Sequence, residues 1–311
     1  MKKRYKSLKH FHISSRILLF LIILLLVFNM ITIVFFNSKF KELDNIESAA
    51  YVTANSAKRE ISNLQDKFTK YSNKQNNINN NHQNKLDVVS FSMFTDFGVV
   101  GDSHASGSIS VDGGEINERM EVSWGKILAR RNGNECINFS IGGCTTDSWL
   151  KDSNERGLKL LKESRPLSLY ILGLGINDCI RNGIEYLGSI DDIDKIDYRK
   201  NANSFYGNYA RIISEIKLHN PSAKIIMMTM ADNWSEEAVA YNNAIIEIAD
   251  ICDVPCIHLH ENEFFKSDFY KNNLQSYHPT AVLYSGMAVA IEEMIEQEMI
   301  NNIQYFQDYI G

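Results

Sequence analysis

Hydrophobic residues follow three successive textures along this chain. From Ile17 to Phe36 the run is almost unbroken, interrupted only by Asn29 and Thr32. At a helical rise of about 1.5 Å per residue such a run spans the roughly 30 Å apolar core of a bilayer, so residues 17–36 are expected to form a transmembrane anchor. A cleaved signal peptide is the alternative. Its apolar core is commonly about 7–15 residues with small residues close behind, whereas here the first small cluster, Ser48-Ala49-Ala50, lies well beyond the run. In residues 37–72, Ala50, Ala54, Ala57, Ile61, Leu64, Phe68 and Tyr71 recur at alternating spacings of four and three, the seam of a helical stalk. Its alanines make it a weak seam, so either a weak homodimer through a coiled coil or a lone solvated helix fits. Residues 73–85, Asn-rich and polar, carry too little apolar surface to fold and read as a flexible linker.

From Leu86 onward short apolar runs (Phe97–Val100, Cys136–Phe139, Leu167–Leu172, Lys224–Met230, Val254–Leu259) alternate with helical periodicities (Trp124–Asn132, Ala202–Leu218, Glu236–Ile251, Ala281–Ile300). This alternation predicts an α/β domain over residues 86–311, with a parallel sheet covered by helices on both faces.

Charge adds an orientation. Lys2, Lys3, Arg4, Lys6, Lys9 and Arg16 precede the apolar run with no acidic residue among them. The excess predicts a cytoplasmic tail over residues 1–16 and an extracellular position for everything beyond the single-pass anchor in the cell membrane. Setting those six aside leaves 26 basic against 38 acidic side chains, a poor surface for nucleic acid. The five cysteines (Cys136, Cys144, Cys179, Cys252, Cys256) form no C-x-x-C pair, which gives no support to a zinc site. Cys144 and Cys179 follow two loop motifs and would be bridged if those loops met in an oxidising setting; small buried thiols are the alternative. The acidic stretch Asp191–Asp197 lacks the glycine and terminal glutamate of a calcium loop and reads as a solvated surface loop.

Candidate chemistry lies in four short blocks. Val99-Val100-Gly101-Asp102-Ser103-His104 places a serine just past a strand, where its N–H would point outward at a helix start. Asn138-Phe139-Ser140-Ile141-Gly142-Gly143 ends a second run in a glycine that lets backbone approach a ligand. Gly175-Ile176-Asn177-Asp178 follows a third run with a side-chain amide. His278-Pro279 supplies an imidazole able to take a proton near neutral pH. Each block has an ordinary structural use as a cap or turn; together they are the parts for acyl transfer through serine. His104 adjoins the serine and is expected to project elsewhere. Trp234 and Tyr277 are candidates to line a substrate pocket.

These four blocks, in this order, resemble the SGNH (GDSL-type) hydrolase superfamily, with Trp124-Gly125-Lys126-Ile127-Leu128 matching its first helix. The resemblance covers roughly residues 96–290. It implies a three-layer α/β/α sandwich with about five parallel strands and esterase, lipase, deacetylase or acyltransferase activity without a metal or other cofactor. It also implies Ser103 as nucleophile, His278 as base, and an oxyanion hole of the Ser103 N–H, Gly143 and Asn177. The family usually places an aspartate three residues before the histidine; here that position is Gln275. A Ser–His dyad, a carboxylate from elsewhere (Asp268, Glu263 or Glu261) or a slow or inactive protein would each follow. The expected function is a membrane-anchored, outward-facing serine esterase removing short acyl groups, such as acetyl, from a glycan or other small ester. An O-acyltransferase using the same residues, or a degenerate carbohydrate- or partner-binding ectodomain, are the alternatives.

Overall fold

The computed structural model describes residues 89–110, 116–151, 155–194 and 196–310, together with Lys39. The expected anchor, stalk and linker lie outside the described residues. Among the described residues no helix is long and apolar enough to cross a membrane.

Five strands form one parallel sheet: β1 (Asp96–Gly101), β4 (Glu135–Asn138), β5 (Leu169–Gly173), β6 (Lys224–Met228) and β7 (Cys256–Ile257), in the order β4-β1-β5-β6-β7. Two short ribbons stand apart, β2 (Ser108–Ser110) with β3 (Ile116–Glu118) and β8 (Leu274–Gln275) with β9 (His278–Pro279). All six residues of β1 are buried, as a central strand covered on both faces requires. Alternate side chains feed two cores. Val100, Tyr170, Leu172, Ile225 and Met227 face one, which is closed by helices α3 (Thr146–Lys151), α4 (Gly157–Glu163), α5 (Ile176–Asn182), α6 (Phe205–His219) and α7 (Glu236–Ile251). Val99, Ile171, Ile226 and Met228 face the other, under α2 (Trp124–Asn132), α8 (Ala281–Asn301) and α9 (Ile303–Ile310). The result is a three-layer α/β/α sandwich. One further helix, α1 (Ser103–Ser106), is a single turn leaving β1.

The expected runs match the strands to within a few residues, except that Val254–Leu259 shrinks to Cys256–Ile257, an edge strand paired on one side only. In chain order the sheet reads 2-1-3-4-5, so the connections run to opposite sides of β1 and open a crevice past the carboxyl ends of β1 and β5. Close approach there depends on Gly101: a Cβ at this position would stand 2.5 Å from Ala105 Cβ and 3.1 Å from Gly173 O.

Candidate active site

The chain after β1 turns into α1 at once. Asp102 caps this helix, its Oδ1 accepting the His104 N–H at 3.0 Å, which leaves Ser103 as the first helical residue, 8% exposed. The backbone around the serine is held from behind, because the Tyr284 hydroxyl of α8 donates to Ser103 O (3.1 Å) or Ser108 O (2.9 Å). First-turn N–H groups have no partner within a helix, and the Ser103 N–H makes no hydrogen bond to any described residue.

Two further donors are exposed by the neighbouring strands. After β4, Gly143 adopts φ 73°, a conformation that favours glycine, and its N–H likewise has no partner among the described residues. After β5, Asn177 lies in the first turn of α5, and its Nδ2 is buried without a close hydrogen-bond partner. Asp102 Oδ2 is in the same condition, and the Asn177 amide lies near enough to favour the ionised carboxylate.

These loops are locked to each other by groups that the sequence blocks did not single out. Asn138 Nδ2 donates to Ala105 O at 2.8 Å, and its Oδ1 accepts the Ser140 N–H at 3.0 Å, tying the second loop to α1. The buried Asp178 carboxylate accepts the Thr146 N–H and, at 2.7 Å, the Thr146 hydroxyl, joining the second and third loops. Glu118 on β3 pairs with Arg156, which also donates to Ser140 O. Against burial, which raises it, that pairing holds the Glu118 carboxyl below the usual carboxylate range, with the nearby Gly142 N–H adding to the effect. Burial pushes Asp102 up to about 7, against the His104 N–H bond that lowers it, with the nearby Asp178 charge adding to the rise. Burial also raises Asp178 to about 6, against its bonds from Thr146.

His278 arrives on the β8–β9 hairpin, whose two turn residues, Ser276 and Tyr277, have φ of 47° and 63°. This tight turn brings Ser276 O to 2.9 Å from His278 Nδ1. A carbonyl only accepts, so Nδ1 carries the proton and Nε2 presents a lone pair. His104 does not project away from the site as expected. Its ring lies 5.6 Å from that of His278, centroid to centroid, and its Nε2 donates to Tyr277 O at 2.9 Å. Burial, with the adjacent His278, lowers His104 to about 4, so it is a neutral prop for the turn.

Gln275 sits opposite His278 in the hairpin register but is exposed, and its side chain bonds to no described residue. The alternative carboxylates are also elsewhere: Glu261 lies against His258 and His260, Glu263 pairs with Lys266, and Asp268 begins a short helix. His278 Nδ1 thus has the Ser276 carbonyl, and no carboxylate, as its partner among the described residues. No hydrogen bond joins Ser103 to His278; packing of α1 on β9 and the paired histidine rings bring them to the same edge of the crevice.

Behind α1 lies a cavity of about 40 Å³. Asp102, His104 and Ala105 flank it on the serine side, and Leu174, Ile176, Met228, Met230, Leu259 and Met287 make most of the wall. Trp234 and Tyr277 do not line it; they are 46% and 88% exposed. Cys179 is a buried free thiol, so no bridge to Cys144 forms. In the acidic loop Asp192 accepts from Ser189 N and Ser204 Oγ, and Asp194 accepts from Ile196 N and Asp197 N, so these carboxylates cap turns.

The GDSL-like lipase/acylhydrolase family matches residues 99–285, a span that holds all four blocks. No curated protein matches the chain. Among solved structures, one crystal structure is 21% identical with a TM-score of 0.52, covering 66% of this chain and 97% of its own. A family two carbohydrate esterase from Clostridium thermocellum, in complex with cellohexaose, is 17% identical with a TM-score of 0.48, covering 68% and 65%. A lipase/acylhydrolase from Enterococcus faecalis is 19% identical with a TM-score of 0.44, covering 65% and 95%.

Proposed function

The chain belongs to the GDSL-like lipase/acylhydrolase family, and from that premise we propose that it is a serine esterase working through a Ser103–His278 dyad. The observation that carries this reading is the bond from His278 Nδ1 to Ser276 O. It leaves Nε2 as the basic nitrogen of a ring held beside the serine helix, the tautomer a general base needs. Ser103 Oγ attacks the ester carbonyl and its proton passes to His278 Nε2. The developing oxyanion is met by the Ser103 N–H and the Gly143 N–H, which have no backbone partner among the described residues, and by Asn177 Nδ2, which has no close partner and lies near the Asp102 carboxylate. His278 then gives its proton to the departing alcohol oxygen. Water, deprotonated by the same nitrogen, cleaves the acyl-enzyme and restores the serine.

The main-chain carbonyl fixes the tautomer and offers the imidazolium a dipole, where a carboxylate would offer a full charge. Slower turnover than a complete triad follows from the weaker stabilisation of the imidazolium; the loss of about 10⁴ seen in another serine enzyme comes from the wrong tautomer, which the Ser276 carbonyl prevents here. The proposed acyl group is short, such as acetyl. The outward-facing anchor expected from residues 1–36 is carried into this reading, with acetylated surface glycans as the proposed substrate, and the exposed rings of Tyr277 and Trp234 offer faces for a sugar to stack on.

Labelling the full-length chain in detergent with a fluorophosphonate, followed by peptide mass spectrometry, tests the reading without knowledge of the substrate. An adduct on Ser103 that vanishes in His278→Ala is expected. A folded protein that takes no label overturns it.

A further inference from the structure

Arg181 stands at this site with no role in the chemistry described so far. It lies four residues after Asn177, one turn along α5, so the two side chains share a helix face. Its guanidinium covers the oxyanion loop: Nη2 lies 2.8 Å, Cζ 3.7 Å and Nη1 3.9 Å from the point where a Cβ on Gly143 would stand. The charged side chains nearest to it in the second and third loops are engaged locally. Glu118 is paired with Arg156, Asp178 is bonded to Thr146, and Asp147 is paired with Lys151 at 2.6 Å. Arg181 is exposed and makes neither an ion pair nor a hydrogen bond with any described residue. A domain whose charge is otherwise strongly acidic thus presents an unneutralised, planar, five-donor cation at the lip of its oxyanion loop.

We propose that Arg181 forms an anion subsite that recognises a carboxylate on the alcohol portion of the substrate, making acylated acidic sugars or similar carboxylate-bearing esters the preferred class. The inference rests on the esterase reading for its meaning, but not for its test. A guanidinium matches a carboxylate through two parallel N–H···O bonds. Its position over Gly143 sets that recognition beside the oxyanion loop, within reach of a substituent on a substrate whose ester carbonyl lies there. A carboxylate would have to approach a net-negative domain, and Arg181 supplies the local attraction that makes this approach favourable. At a partly solvated site the gain is modest, a factor of about two to five.

Two pairs of probes separate the subsite from the reaction. Hydrolysis of 4-acetoxybenzoate and of its neutral isostere 4-acetoxybenzamide gives kcat/KM with and without the charge. Calorimetric titration with the non-hydrolysable 4-acetamidobenzoate and 4-acetamidobenzamide gives binding alone. The wild-type chain should favour the carboxylate in both assays by about two- to fivefold, chiefly through KM, with the preference shrinking in about 0.5 M salt. Arg181→Gln should bring both ratios to about one, and Arg181→Lys should leave a partial preference. Equal loss on both esters in Arg181→Gln, or a ratio unchanged by it, overturns the subsite. If neither ester is hydrolysed yet binding still discriminates through Arg181, the esterase reading fails and the subsite stands.

Discussion

Asp102 makes stability depend on pH in an unusual direction, and Asp102→Asn is the perturbation that isolates it. The wild-type carboxyl is fully buried and rises from 3.8 to about 7 on folding. The folded state therefore binds more protons than the unfolded state between those values, and stability falls as pH rises through that window. It is fully present below about 3.8 and is lost by the time pH has passed about 7. A shift of about three units at roughly 1.4 kcal/mol each gives a loss of about 4 kcal/mol, large against the roughly 5–15 kcal/mol of an ordinary domain. Asparagine keeps the oxygen that accepts the His104 N–H and cannot ionise. Asp102→Asn should match wild type near pH 4.5 to within about 1 kcal/mol and exceed it at pH 7.5 by up to about 4 kcal/mol. Part of that gain comes through Asp178, whose charge opposes that of Asp102. Urea unfolding across this range, read by the fluorescence of Trp124 and Trp149 (1% and 0% exposed), measures the difference. Parallel stability-versus-pH curves for the two proteins would refute the reasoning.

Three further outcomes follow from the site. His278→Ala should lower kcat by about 10²–10⁴, while Gln275→Ala should stay within about threefold of wild type, because Ser276 O and not Gln275 engages the ring; steady-state kinetics on 4-nitrophenyl acetate compares them. Asn177→Ala should lower kcat by about 10²–10³ through loss of one oxyanion donor, with KM nearly unchanged in the same assay. Tyr277→Gly relieves a left-handed conformation costing a non-glycine residue about 1 kcal/mol; with the ring 88% exposed and the freer unfolded chain taking back part of the gain, the unfolding free energy should rise by up to about that amount in urea titration.

Much of this architecture is legible from the residues alone. The apolar runs at 97–100, 136–139, 167–172 and 224–230 announce strands because a sheet buried on both faces needs continuous apolar stretches. Ser103, Gly143 and Asn177 each stand where such a run gives way to small or polar residues, while His278 was marked only by its ring chemistry and the proline after it. The rest was hidden for identifiable reasons. A carbonyl acting on His278 belongs to the main chain and has no letter in the sequence. The turn that delivers it carries Ser276-Tyr277 where two positive φ values ordinarily favour Asn-Gly. His104 could not be placed without knowing that a hairpin 173 residues away returns to it. Arg181 did leave a trace, the four-residue spacing from Asn177, and Glu118 with Arg156 left none, since their meeting depends on tertiary packing alone.

The steering of the base by a turn also changes how this site can be lost. Where an aspartate orients the histidine, a single nucleotide change can erase the orienting group. Here no side-chain replacement at 276 deletes the Ser276 carbonyl, so inactivating changes must either remove the ring itself or bend the ribbon. The vulnerable codons are consequently those for His278 and for residues that shape the hairpin, such as proline newly placed at 276 or 277. The site trades chemical strength at that position for resistance to mutational decay.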